Sequence, residues 1–284
     1  MNAQKTAVLI DSGCDVPAAV RKELDIRILP LRIIYPEKDY RDGVDIDPAE
    51  VYRRYPEFPS TSTPSVAEVQ DAFREIRDEG YEHLIAVCIS SGLSGTYNTM
   101  RLAASEMEDL DIFVFNTKNI SIGSGIFAIW AAKKLQEGWP FEKITAQMQE
   151  RIHCSKDFFY MDTLTYLKKG GRIGTVLGTV GEILQIRPII SCNDDGIYYT
   201  VAKIRGNRFA KDKLLESVKA FCRGHRTWIV VEEGGAHEEA AAMQEMIRKE
   251  VPDAQILFEQ QITATMALNT GPGLVGVMAF IDPD

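Results

Sequence analysis

The first half of the chain alternates short apolar runs with segments of helical period. Ala7 to Ile10 (AVLI) is followed by PAAVRKEL and IRILPLRII, and Leu84 to Ser90 (LIAVCIS) again precedes a helical stretch. Asp111 to Phe115 (DIFVF) adds another apolar run, and Phe127 to Leu135 another helical segment. Apolar runs without polar alternation are strands buried on both faces. A strand, helix, strand rhythm predicts a largely parallel sheet covered on both sides, with right-handed crossovers. Before Leu84 the rhythm breaks into YPEKDYRDGVDIDPAEVYRRYPEFPSTSTPS, a polar stretch dense in Pro, Asp, Ser and Thr. It is too long for an ordinary connection, which predicts a functional or unstructured loop. Its end is well specified: Ser65 and Glu68 form a capping box, and a helix is expected from about Val66 to Glu79.

After about Met161 the character changes. RPIISCNDDGIYYTVAKIR reads as two antiparallel strands turning at Asp195-Gly196. A helix over Phe209 to Cys222, the strand TWIVVEE, a helix over Glu238 to Lys249, and the strands AQILFE and GLVGVMAFI follow. The expectation is a two-domain α/β protein: an N-terminal parallel-sheet, Rossmann-like domain over 1–160, a smaller C-terminal mixed-sheet α/β domain over 161–284, and a ligand cleft between them. A length of 284 residues fits two domains, and 45% hydrophobic with 26% charged residues is a globular balance.

Charge narrows the partners. A net charge of −9 and a pI near 5.1 repel a phosphate backbone, so nucleic acid is not expected. Five cysteines (Cys14, Cys88, Cys154, Cys192, Cys222) form no CxxC pair, which fits a reduced, cytoplasmic setting. MNAQKTAVLIDSG lacks the apolar core of a signal peptide, and no apolar run reaches the roughly 20 residues of a membrane helix.

Candidate chemistry gathers at strand ends. Ser90 to Thr96 (SSGLSGT) carries four hydroxyls and two glycines between a buried strand and a helix. Open α/β sheets bind ligands at that edge, where helix N-termini favour anions. PSTSTPS, Pro59 to Ser65, sets more hydroxyls before another helix. In LTYLKKGGRI, Leu164 to Ile173, Gly170 is expected as a left-handed helix cap beside basic residues. ALNTGPGLVG, Ala267 to Gly276, is a Gly/Pro turn opening a strand. Asp11-Ser12 with Asp15 resembles Mg²⁺ sites of α/β phosphatases, but Asp15 capping a helix that begins at Pro17 is the better reading, and no metal or other cofactor is assigned.

In this order DSGCD, LPL, YRDG, PSTSTPS, ISSGLSGTYN, DTLTYLKKGGRI, RPII with its DG turn, and NTGPG resemble the DegV family across essentially the whole chain. That family includes the fatty-acid-binding subunits of bacterial fatty acid kinase. The resemblance implies the DegV (EDD) fold and a non-catalytic lipid binder holding one long-chain fatty acid as its ligand. It places the carboxylate at Thr61, Ser62 and Ser94, with Gly95 and Thr96 beside them. Arg172 of the GGR motif and Asn269, Thr270 and Gly271 would line the cleft. Ile89, Leu93, Ile122, Ile126 and Phe127 are candidates for the tail. It further implies a fatty acid kinase as partner, docking on basic residues that include Lys168, Lys169, Arg172, Lys203 and Arg205, and forming acyl phosphate. Two positions depart from the family: Asn269 stands where His is common, and Asn116-Thr117 where Asp-Ser usually ends a strand. Asn donates hydrogen bonds but does not titrate near neutrality. The rival reading is a serine hydrolase of acyl esters with Ser94 as nucleophile. GLSGT lacks the last glycine of GxSxG, and His83, His153, His225 and His237 make weak candidates for a base.

Overall fold

A computed structural model describes residues 2–176, 178, 186–205 and 209–281. The chain forms two compact units, Met1–Asp45 with Pro59–His153, and Ile46–Phe58 with Cys154–Asp284. In chain order the elements begin with β1 (Thr6–Asp11), α1 (Ala18–Glu23), β2 (Ile26–Leu29), β3 (Arg32–Tyr35), β4 (Lys38–Arg41), α2 (Pro48–Arg53), β5 (Ser60–Ser62) and α3 (Val66–Asp78). Then come β6 (His83–Cys88), α4 (Thr96–Ser105), β7 (Asp111–Asn116), α5 (Ser121–Gln136) and α6 (Phe141–Glu150).

In the first unit β2-β1-β6-β7 form the expected parallel sheet. Leu9, Leu84, Ala86 and Cys88 pack against Phe73 and Ile76 of α3 and Met100 of α4. The alternate residues face the other way, where α5 packs on β1 and β6. Nearly every residue of α5 is buried, so its apolar character runs all round the helix.

IRILPLRII is two strands. Pro30 fixes its own φ and has no N–H, and the chain leaves the parallel ladder there. β3 joins a separate antiparallel sheet of order β4-β3-β5. The polar stretch expected as a loop thus contains β4, α2 and β5. Ser65 caps α3 as expected: its hydroxyl accepts from the Glu68 amide at 3.2 Å, while Glu68 accepts from the Ser65 amide at 2.8 Å.

The second unit contributes β8 (Ser155–Tyr160), α7 (Thr165–Lys169), β9 (Ile186–Cys192), β10 (Tyr198–Arg205), α8 (Ala210–Cys222), β11 (Thr227–Gly234), α9 (His237–Glu250), β12 (Ala254–Gln261), α10 (Ala264–Thr270) and β13 (Leu274–Ile281). Its mixed sheet runs β10-β9-β8-β13-β11-β12, with β11 and β12 parallel and the other pairs antiparallel. Phe158, Tyr160, Ile229, Val231, Val275 and Val277 meet Leu214 and Val218 of α8 and Met243 and Ile247 of α9. The β9–β10 turn holds as read, with Gly196 at φ +75° and the Asn193 carboxamide oxygen accepting from the Asp195 and Ile197 amides.

β8 lies in this sheet, and Ile46–Phe58 clusters with the second unit, so the chain crosses between units after Asp45, after Phe58 and after His153, where a single boundary near 160 was expected. α2 packs on α10, and the Tyr55 hydroxyl donates to the Ala267 carbonyl at 3.1 Å. Tyr55 and Phe58 pack on Tyr166 of α7, with ring centroids 4.7 and 5.8 Å away. No helix among the described residues is long and apolar enough to cross a membrane.

Candidate functional site

The loop between β6 and α4 is organised almost entirely from within the first unit. Asp11 Oδ2 accepts from the Ile89 amide at 2.9 Å, and the Asn119 carbonyl from the Ser90 amide at 2.7 Å. Asn116 accepts from the Ser91 amide at 3.2 Å and donates to the Ser91 hydroxyl at 2.7 Å. Ser90 is fully buried; its hydroxyl takes the Gly92 amide, and its carbonyl takes those of Leu93 and Ser94 at 3.0 Å. Six consecutive amides, from Ile89 to Ser94, therefore find acceptors within the protein.

What stays open is the helix start. The Ser94 hydroxyl lies 2.8 Å from that of Thr96 and 3.3 Å from the Thr96 amide, and Thr96 is fully buried. Gly95, the N-cap of α4, makes no side-chain cap bond, and its amide has no acceptor among the described residues. The amides of Gly95 and of the first helical turn, Tyr97 and Asn98, are the donors left for an anion.

β5 runs beside this opening. Thr61 pairs with Ile33 and Ser62 with Arg32 on β3. Thr61 is half-buried and Ser62 exposed. A Cβ built on Gly95 would sit 3.4 Å from Thr63 Cγ2, which brings the two hydroxyl-bearing segments side by side. A larger side chain at 95 would fill that gap.

Behind the loop sits a buried acidic group. The Ser12 hydroxyl donates to Asp42 at 2.7 Å and accepts from the Leu31 amide at 3.0 Å. Burial, with Asp42 adding a smaller push, raises the Asp11 carboxyl to about 7. Asp15 has φ +51° and accepts from the Ser121 hydroxyl at the start of α5, while α1 begins at Ala18 with Pro17 as its N-cap. Among the described residues no three His, Cys, Asp or Glu are arranged to hold a metal ion.

Of the proposed tail residues, Ile122, Ile126 and Phe127 are fully buried in α5, where Phe127 meets the Phe115 ring edge-on at 5.1 Å; Ile89 is buried and Leu93 half-buried.

In the second unit, α7 and α10 pack together. The left-handed residue after α7 is Gly171 (φ +72°), whereas Gly170 keeps a helical φ of −71°, so the cap falls one residue later than expected. Gly170 is required for another reason: a Cβ there would lie 2.3 Å from the Asn269 carboxamide oxygen. Asn269 donates to the Thr265 carbonyl at 2.9 Å. The Thr270 hydroxyl donates to the Met266 carbonyl at 2.9 Å, and Gly271 takes φ +70° against Tyr166. Arg172 Nη1 donates to the Gly170 carbonyl at 2.6 Å. Lys203 is exposed on the edge strand β10; Arg205 pairs with Ile186 through its backbone, and its side chain is outside the described set.

Among the described residues no Ser-His pair is formed at Ser94. Its hydroxyl is engaged with Thr96, and no histidine among the described residues bonds to it. His83 lies 3.5 Å from Asp111 and stacks on Phe141, and His237 lies 3.0 Å from Glu259. Sequence reading missed Asp11, Asn116 and Asn119 as organisers of the loop; the polar residues closing β1 and β7 were the available signal.

The family model for DegV, described as an uncharacterised protein family, matches residues 5–282. The chain belongs to the DegV family. A DegV domain-containing protein of Clostridium acetobutylicum is 38% identical over 278 residues, covering 98% of this chain and 99% of that protein. A DegV family protein from Thermus thermophilus, described for its fatty acid binding, superposes with a TM-score of 0.91 at 28% identity, covering 99% of this chain and all of that one (100%). A stearic acid-binding protein from Eubacterium ventriosum gives a TM-score of 0.89 at 26% identity, with coverage of 97% and 98%. This DegV chain therefore has the fold of proteins described as binding fatty acids.

Proposed function

We propose that this DegV protein binds one long-chain fatty acid without chemical turnover and presents its carboxylate to a fatty acid kinase. The observation that carries the reading is the junction of two hydroxyl-bearing segments at an uncapped helix start, Thr61 and Ser62 on β5 beside Ser94 and Gly95. A carboxylate leaving water needs charge-assisted hydrogen bonds to replace its hydration. The hydroxyls of Thr61, Ser62 and Ser94, with the Gly95, Tyr97 and Asn98 amides, provide them without a buried ion pair. The family resemblance assigns Arg172, Asn269, Thr270 and Gly271 to the ligand's surroundings, and Lys203 and Arg205 to kinase docking.

Affinity would come from the tail. At about 0.8 kcal/mol per buried CH₂, enclosing a sixteen-carbon chain is worth on the order of 12 kcal/mol before ordering costs. A guest held that strongly survives purification. Native followed by denaturing mass spectrometry, with an organic extract run beside it, tests the reading. The expected result is a mass excess of one fatty acid, recovered in the extract and lost in a Thr61→Ala/Ser94→Ala double variant. A ligand-free protein that also takes up no added fatty acid refutes it. Cleavage of p-nitrophenyl acyl esters, abolished by Ser94→Ala, would replace the binder with a hydrolase.

A further inference from the structure

Two adjacent residues at the end of β1 reach the two halves of the head-group site separately. Asp11 turns one way: its Oδ2 accepts from the Ile89 amide, one residue before the buried Ser90 that shapes the loop carrying Ser94. Ser12 turns the other way. Its hydroxyl accepts from the Leu31 amide and donates to Asp42, and the Asp42 amide in turn donates to the Leu31 carbonyl at 2.9 Å. Leu31 and Asp42 flank the open end of the β3–β4 ladder, just beyond the Arg32 and Arg41 pair, and Arg32 is also the register partner of Ser62 on β5. Asp11, Ser12 and Asp42 are each at most 1% exposed, so water does not compete for these bonds.

Each half is held at its β1-facing point by one of these buried side chains, and in the loop Asn119 and Asn116 take over at the next two amides. β5 is three residues long, and among the described residues its ladder is with β3 alone. The 89–96 loop follows the last residue of β6, and at Ile89 its backbone is held by a side chain instead of a neighbouring strand. Gly13 completes the junction: a Cβ there would meet both Asp11 Oδ1 and Ile89 Cδ1 at 3.1 Å, so the chain passes close beneath the loop.

We infer that Asp11 and Ser12 are positioning residues that set the separation between the Ser94 loop and the Thr61–Ser62 strand, and so fix the size of the anionic head group the site accepts. The inference rests on the proposed assignment of those hydroxyls to a carboxylate. Neither residue touches the ligand; each acts through the backbone it holds.

The test uses the full chain and the variants Asp11→Ala, Asp11→Asn and Ser12→Ala, each checked for a wild-type circular dichroism spectrum. Amide hydrogen exchange is measured without added ligand, and palmitate uptake is measured separately. In Asp11→Ala, exchange over 89–96 should rise at least tenfold while 60–63 and α6 stay unchanged. In Ser12→Ala the rise should fall on 31–34 and 60–63 and spare 89–96. Each should weaken palmitate binding by tenfold or more. Asp11→Asn, which retains an acceptor oxygen for the Ile89 amide, should recover most of both properties, as a loss from general destabilisation would not. Unchanged exchange in the two segments, or uniform loosening across the unit, overturns the inference. Should the wild-type protein bind no palmitate, the proposed function fails and the exchange pattern alone decides the positioning role. Should Asp11→Ala not fold, Asp11→Asn and Ser12→Ala carry the same decision.

Discussion

Gly271 offers the sharpest quantitative test of the second unit. Its backbone lies at φ +70° and ψ −180°, a region open essentially to glycine alone, so a side chain there costs about 1–3 kcal/mol in backbone strain. A Cβ would also fall 2.1 Å from a Tyr166 ring carbon. That ring is held against Tyr55 at 4.7 Å and Phe58 at 5.8 Å, so it cannot turn aside without breaking those packings. Forcing it over adds about 1–3 kcal/mol. Gly271→Ala should therefore lose about 2–6 kcal/mol in guanidinium unfolding read by linear extrapolation. Gly170→Ala separates the two causes, since its φ of −71° carries no strain and only the Asn269 oxygen stands in the way. It should lose about 1–3 kcal/mol. Combining Gly271→Ala with Tyr166→Ala removes the steric part and leaves the strain, so the cycle should show about 1–3 kcal/mol of coupling. A Gly271→Ala protein within about 0.5 kcal/mol of wild type, or a cycle without coupling, would refute this account.

Two carboxyls should respond to pH with opposite sign. Glu68 is held down to about 2, first by Arg32 and then by the Ser65 amide and hydroxyl. Its contribution is complete above the usual carboxylate range and fades as pH falls towards 2, so Glu68→Gln should flatten the acid limb of a stability–pH curve; because the pair is partly exposed, added salt should shrink the effect. Asp157 is pushed up to about 7 by burial. It binds its proton more tightly folded than unfolded, so its contribution to stability falls as pH rises above the usual carboxylate range. Asp157→Asn should make that slope shallower in urea titrations at several pH values, with the raised Asp11 carboxyl supplying the remainder, and an unaltered slope would count against the assignment.

The parallel strands were legible because apolar runs such as LIAVC lie buried on both faces, and the capping box and the DG turn because each is a local device. β4 and β5 were not: KDYR and STS are polar, mostly exposed strands of a small sheet, with no apolar alternation to mark them. Two adjacent glycines left the α7 cap ambiguous by one position, which only the observed φ values decide. The head-group candidates were readable as hydroxyl-rich segments before helices. Their anchors were not, since Asp11 and Ile89 are 78 positions apart and no periodicity links them.

The strap from Ile46 to Phe58 has a consequence for biosynthesis. Tyr55 leaves the ribosome 212 residues before Ala267, the residue whose carbonyl it binds. At about 5–20 residues per second, that interval is roughly 10–40 s. The nascent chain thus completes the sheet of its first unit while a segment of aromatic residues within it still awaits α10. Such a segment is a ready client for a chaperone, and a C-terminal fragment begun at Cys154 would be born without it.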